Sequence, residues 1–194
     1  MFMSRSNRQR TEQTRQALID AGRRLFVEKG YAETATPEIV AAAGVTRGAL
    51  YHHFEDKKAL FRAVIESEAQ AVARAIEAHS ASHDAPRVAL LAGASAYFDA
   101  MMTQGRTRLL LIEAPAVLGP STTATIDAEN AEVTLRVGLA AMLPKAGAML
   151  EPLTSLLSAA FDRAAIAIDA GGERRDYEQA IAVLLDGLAD HLRR

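Results

Sequence analysis

Residues 36–57 constrain this chain more than any other stretch, because the limits of two short helices and the start of a third are all written there. Thr36 is a good N-cap, and Pro37 suits the first helical position, where its missing N–H would be unpaired anyway. Gly44 supplies the backbone freedom to end that helix, and Val45 puts an apolar plug into the angle that follows. Thr46 caps a second short helix whose outward residues are Arg47, Gly48, Ala49, Tyr51 and His52, while Leu50 and Phe54 face back towards a core. Asp56 is an N-cap for a longer helix that begins at once. This spacing is a helix-turn-helix.

The rest of the chain reads as helix throughout. No run alternates apolar and polar residues over five positions with β-branched enrichment, so strands are not expected. The first helix is expected over 12–29, with Leu18, Gly22, Leu25 and Phe26 on one face and Gly30 as its stop. The helix from Asp56 carries Leu60, Phe61, Val64, Ile65, Val72 and Ile76 at helical spacing. A breaker cluster at 80–86 separates it from helices expected over 86–103 and 106–113. Pro115, Gly119, Pro120 and Ser121 read as an irregular loop, and a longer helix is expected over 123–143. Two amphipathic helices close the chain, with Gly171 and Gly172 turning between them. The expectation is an all-α fold of about nine helices, a three-helix head on a larger helical body.

With 194 residues, 49% of them apolar, the chain can bury a sizeable core. It holds no cysteine, which excludes disulfides, thiol redox sensing and cysteine-based zinc sites. No apolar segment follows the early basic residues, and the apolar run 88–98 is far too short to span a bilayer. Cytoplasm is the expected compartment and no membrane contact is expected. The net charge is only −2. Its distribution is uneven: residues 1–60 hold ten Lys/Arg against seven Asp/Glu, and the remainder twelve against seventeen. A basic head on an acidic body is the asymmetry expected when one end meets phosphate.

The exposed face of the second short helix has the chemistry that a DNA major groove demands. Arg47 can donate two hydrogen bonds to guanine O6 and N7. Gly48 and Ala49 allow close approach. Tyr51, His52, His53 and Lys57, with Thr36 and Thr46 at helix N-termini, fit phosphate contacts. His52 and His53 point about 100° apart on a helix and cannot converge on one ion, so no metal site is expected. Neither a GxSxG elbow nor a glycine-rich phosphate loop is present, and neither an enzyme nor a cofactor is expected.

The segment from Gly44 to Phe54, followed by Lys57, Leu60 and Phe61, resembles the tetracycline-repressor (TetR) family of bacterial regulators over roughly residues 11 to 65. The resemblance implies a homodimer whose N-terminal domain binds a palindromic operator in duplex DNA and whose larger C-terminal domain dimerises and binds a small-molecule effector. It implies phosphate contacts at Thr36, Tyr51, His53 and Lys57, and base reading at Arg47 and Gly48. Pro37 and Ala49 depart from side chains that other members carry there, so no operator sequence is carried over.

The expected organisation is a basic mobile arm over 1–10, a DNA-binding domain over 11–55 and an effector-binding and dimerisation domain over 56–194. The dimer is expected to form through Leu153, Leu156, Leu157, Ala160, Phe161 and Ala164 on one helix, and Ile181, Leu184, Leu185, Leu188 and Leu192 on the next. A ligand is expected among Tyr97, Phe98, Met101, Met102 and Phe161, with Glu113, Asn130 and Thr134 as polar handles. Asn130 bonding a neighbouring helix and Glu113 facing water are the structural alternatives. The expected function is a repressor released from its operator by an apolar or amphipathic ligand. The alternative is a small-molecule-binding helical protein or enzyme that keeps a vestigial helix-turn-helix.

Overall fold

A computed structural model describes residues 7–193, and among these residues it is helical with no strand. α1 (Asn7–Glu33) is interrupted at Gly30, whose φ of 83° leaves the helical region. The expected stop is therefore real, with one more turn behind it. The start is earlier than expected. Asn7 to Arg10 are already helical, so that part of the expected arm is the first turns of α1, and residues 1–6 lie outside the described residues.

α2 (Thr36–Ala43) and α3 (Arg47–His53) follow, and then α4 (Lys57–Ser80). Thr36 is not the cap of α2. Ala35 occupies that position, and the Glu38 carboxylate accepts its N–H at 3.1 Å. Gly44 ends α2 at φ 65°, a left-handed conformation that costs glycine nothing. Thr46 Oγ1 accepts from Ala49 N–H at 3.2 Å, and Asp56 Oδ1 from Ala59 N–H at 2.7 Å, as capping chemistry requires. Leu18, Phe26, Ile39, Leu50, Leu60 and Phe61 are fully buried together. Phe61 meets Phe26 edge-on with ring centroids 5.1 Å apart.

α5 (Pro86–Met101) packs back along α4. Gly93 permits their close approach, since a Cβ there would lie 2.6 Å from Ser80 Oγ. α6 (Arg106–Arg108) runs through a π-helical turn, Leu109–Glu113, into α7 (Ala114–Leu118). Pro115 thus lies inside a helical rod rather than in the expected loop. Proline removes an N–H and crowds the carbonyl one turn back; the wider π turn in front of it relieves that crowding.

The helix expected over 123–143 is two helices, α8 (Pro120–Ala128) and α9 (Ala131–Met142). Asn130 makes the break, its side-chain amide donating to the Ile126 carbonyl at 2.7 Å. That bond closes the end of α8 and competes with continuation of the helix.

α10 (Leu150–Asp169) and α11 (Arg174–Arg193) finish the body. Arg174 binds α11 to α5 through Asp99 and the Ser95 carbonyl, and Arg87 pairs with Asp186. The expected dimer stripe divides into two faces. Leu157, Phe161, Ala164, Ile181 and Leu185 are buried in the body's own core. Leu156 and Leu184 are 70% and 50% exposed, and Leu153, Ala160, Leu188 and Leu192 lie partly covered. Val183, 65% exposed, belongs to the outer face and was not in the expected set.

An ionic joint binds head to body. Glu68 of α4, only 6% exposed, accepts from Arg23 of α1 and Arg106 of α6 at 3.1 and 2.9 Å. Burial alone would raise the Glu68 pKa; the two guanidinium hydrogen bonds outweigh it and hold the group below its ordinary value. Gly105, at φ 73°, brings the turn before α6 so close to α1 that a Cβ would sit 2.6 Å from Val27.

Candidate functional site

α3 stands at the surface with its N-terminus capped by Thr46 and its inner side pinned by buried Leu50 and Phe54. Arg47, Gly48, Tyr51 and His52 are exposed, and Ala49 and His53 half-buried. One turn apart, Arg47 and Tyr51 stack, the guanidinium carbon 5.5 Å from the ring centroid. The stack holds the fork outward, and among the described residues none of its donors is committed to another side chain or carbonyl that would hide it. Gly48 has no internal reason to be glycine. Its φ is ordinary, and a Cβ there would meet only Thr46 Oγ1, at 3.9 Å. A glycine inside a helix costs about 1 kcal/mol against alanine.

His53 is held below its ordinary pKa by burial first and then by the nearby His52 and Arg15 charges, so its ring is neutral at pH 7. It can offer an N–H but little charge. Thr36 sits half-buried in the first turn of α2.

Lys57, expected to meet phosphate, is engaged within the protein. Its ammonium donates to the Tyr31 and Thr34 carbonyls at 2.8 and 2.9 Å, lies 3.5 Å from Ala32 O, and sits 4.3 Å from the Tyr31 ring centroid. The cation closes the carbonyl end of α1, where the helix leaves acceptors unpaired. A lysine directly after the motif is legible in the sequence, but its target, 26 residues earlier, is not.

The expected ligand residues separate. Tyr97, Thr134 and Phe161 line a cavity of about 520 Å³ between α4, α5, α8, α9 and α10. Tyr97 and Met101 line an adjoining one of about 340 Å³ bounded by the π turn and α8. Phe98 lines neither and is fully buried in the core, and Met102 is 65% exposed beside Arg174. Asn130 spends its amide on the helix break described above. Glu113 points away from both cavities. It accepts the Tyr31 N–H at 3.0 Å and pairs with Arg108, whose guanidinium donates to the Phe26 and Val27 carbonyls at 2.7 Å each. It therefore repairs the backbone where Gly30 breaks α1.

Sequence reading missed the paired polar residues of the cavity wall, Asp127, Ser158 and Asp162, as well as Glu77, Ser80, His83 and Asp84 in the same lining. Tyr97 OH donates to Asp162 at 2.7 Å, and Ser158 Oγ to Asp127 at 2.9 Å. The acids hide in the sequence because each completes a pair across 31 or 65 residues.

The family model described as "Bacterial regulatory proteins, tetR family" matches residues 18–64. A full-length likeness accompanies it: a TetR-family transcriptional regulator from Pectobacterium atrosepticum superposes with a TM-score of 0.71 and 28% identity over 97% of both chains. Residues 18–64 thus carry the N-terminal domain of the tetR family, and the fold of the whole chain is that of TetR-family regulators. The head is 47% identical over 64 residues to the HTH-type transcriptional regulator AcrR of Shigella flexneri. It is 45% identical over 53 residues to the HTH-type transcriptional repressor BepR of Brucella suis. Those matches cover 33% and 27% of this chain and only 30% and 25% of the relatives' own lengths, and so are confined to a head-sized part of each.

Proposed function

We propose that this chain is a dimeric, sequence-specific DNA-binding transcriptional regulator, a repressor that leaves a palindromic operator when a small apolar or amphipathic ligand fills its body. The exposed face of α3 carries this reading: an outward Arg47 fork on Tyr51, beside a glycine that nothing within the protein requires. Close approach by a duplex explains both. Arg47 reads bases, Thr46 and Tyr51 hold backbone phosphates, His52 and the neutral His53 add donors, and Gly48 and Ala49 leave room. Thr36 contributes from the first turn of α2. Lys57 acts mainly as the staple of α1, its charge entering the head's field at a distance.

Residues 11–55 are the DNA-binding head and 56–194 the effector and dimer body. Leu156, Val183, Leu184 and Leu188 around Gly187 form the shallow apolar face by which two copies pair. Fully burying a leucine is worth about 1.5–3 kcal/mol, and a lone protomer forfeits much of it here. Ligand in the cavities shifts α5 and the π turn, and the joints at Glu68, Arg108 and Glu113 carry that shift into α1. An allosteric coupling of about 1–3 kcal/mol is enough. No described helix is long and apolar enough to cross a membrane, and the regulator is proposed to act in the cytoplasm.

Selection of binding duplexes from a random pool tests the reading. The expected result is a palindromic site with half-sites about 10 bp or a multiple apart, bound with a steep inverse dependence on salt. Failure to enrich any sequence over the starting pool would overturn it.

A further inference from the structure

The two body cavities share a wall made by Tyr97, Asp127, Ser158 and Asp162. Around that wall the lining is apolar, with Leu90, Ala94 and Phe161 in the larger cavity and Ile65 and Val72 in the smaller. Its charged groups have one sign. Glu77, Asp84, Asp127 and Asp162 line the larger cavity and Glu132 joins the smaller; among the described residues no lysine or arginine lines either, and His83 is the one imidazole in the larger lining. Among the described residues no cation forms an ion pair with Asp127 or Asp162, and the partners they have are the neutral hydroxyls of Ser158 and Tyr97. Two carboxylates enclosed with apolar neighbours and no counter-charge are an incomplete arrangement, because burial disfavours a charge that is not paired.

We propose that the ligand of this cavity is an organic cation with an apolar body, an amine or quaternary ammonium whose positive centre sits between Asp127 and Asp162. This rests on the ligand-released reading above and names its ligand class. The cation supplies the missing charge, and the Tyr97 and Phe161 rings, 5.6 Å apart, offer π faces beside it. About 520 Å³ accommodates a drug-sized body. An anionic amphipath would set a third negative charge against the pair and is disfavoured by the same geometry.

The acids respond to pH accordingly. Burial, chiefly, and then the Asp127 and Glu132 charges raise Asp162 to about 6, against the lowering effect of the Tyr97 hydrogen bond. Burial likewise raises Asp127 above its ordinary range. The groups facing Asp162 are Tyr97 from α5, Asp127 from α8 and Glu132 from α9, none of them cationic, and His83 from the turn before α5 lines the same cavity. A raised carboxylate is ionised above its pKa and neutral below it, so cation affinity should fall as pH drops through about 6.

The test is calorimetric titration with decyltrimethylammonium, decanol and decanoate, each below its micelle concentration. Wild type, Asp162→Asn and the Asp127→Asn/Asp162→Asn double variant are compared at pH 7.5. We expect saturable binding of the ammonium, at least tenfold weaker in Asp162→Asn and weaker again in the double variant, with decanoate gaining where the ammonium loses. In wild type, which needs no variant to fold, ammonium affinity should fall several-fold between pH 7.5 and 5. Ammonium binding that is absent, no tighter than decanol, or unchanged by both pH and the double substitution overturns the proposal. Parallel titrations on selected operator DNA separate it from the reading on which it rests. Cation binding without operator release would keep the charge assignment and remove ligand-released repression. Release by decanol or decanoate alone would do the reverse.

Discussion

In the head, Leu18, Phe26, Ile39, Leu50, Leu60 and Phe61 leave no exposed area, and the polar groups at the helix ends are met by Thr46, Asp56 and Lys57. In the body, α5, α8, α9 and α10 enclose about 520 and 340 Å³ of space, and two carboxylates face it with only hydroxyl partners. A reading head must present α3 at fixed geometry, so its interior is filled and its caps are complete. A ligand-holding body needs the opposite: room, and polar groups left for something else to satisfy. The difference locates the filled interior at the end proposed to read DNA and unspent binding capacity at the other.

The largest expected effect would break the body's outer face. Leu184→Glu puts a charge on the exposed apolar strip without touching the core residue Leu185 beside it. Sedimentation should then give monomers, and operator affinity should fall about 10²–10⁴-fold, because one head no longer raises the effective concentration of the other. A dimer with unchanged operator affinity would place the interface elsewhere.

Next in size is the joint between the regions. Glu68→Ala leaves Arg106, 9% exposed, without its carboxylate, and removing one partner of a buried ion pair costs about 3–5 kcal/mol. For a chain of this length that is a fall in Tm of roughly 10 °C. Acid should mimic it. The Glu68 pKa is lowered on folding, so its contribution is complete above the ordinary carboxylate range and is lost as pH falls through the folded value. A Glu68→Ala melting curve superposing on wild type would show that the joint carries no stability.

Smaller again, Lys57→Ala should lower stability by about 1–3 kcal/mol, since it strips donors from the Tyr31 and Thr34 carbonyls. It should leave the dependence of operator affinity on log salt nearly unchanged. A slope reduced by about one unit would instead return Lys57 to direct phosphate contact.

The same contrast governs what could be read from the chain. The head was legible because its grammar is local: Gly44, Thr46 and Asp56 each act within three or four residues. The body's decisive features are not local. Asn130 sits in a helical row with Ile126 and Val133, and only its backward bond to Ile126 turns one expected helix into two. Pro115 reads as a breaker, yet the π turn before it absorbs the strain. Leu156 and Leu157 read as one stripe although one faces out and the other in. Glu113 looked like a ligand handle because its partner, the Tyr31 N–H, exists only where Gly30 interrupts a helix 82 residues away.

The measurement that bears most directly on the head as a reader of sequence is fluorescence anisotropy of wild type and Arg47→Ala on the selected operator and on a scrambled duplex of equal length. The substitution leaves the Leu50 and Phe54 packing of α3 untouched. Losing the forked donor should cost about 1–3 kcal/mol on the operator and far less on the scrambled duplex, so the ratio of the two affinities should collapse. Equal losses on both duplexes would contradict base reading by Arg47, and no loss on either would contradict α3 as the DNA-contacting helix.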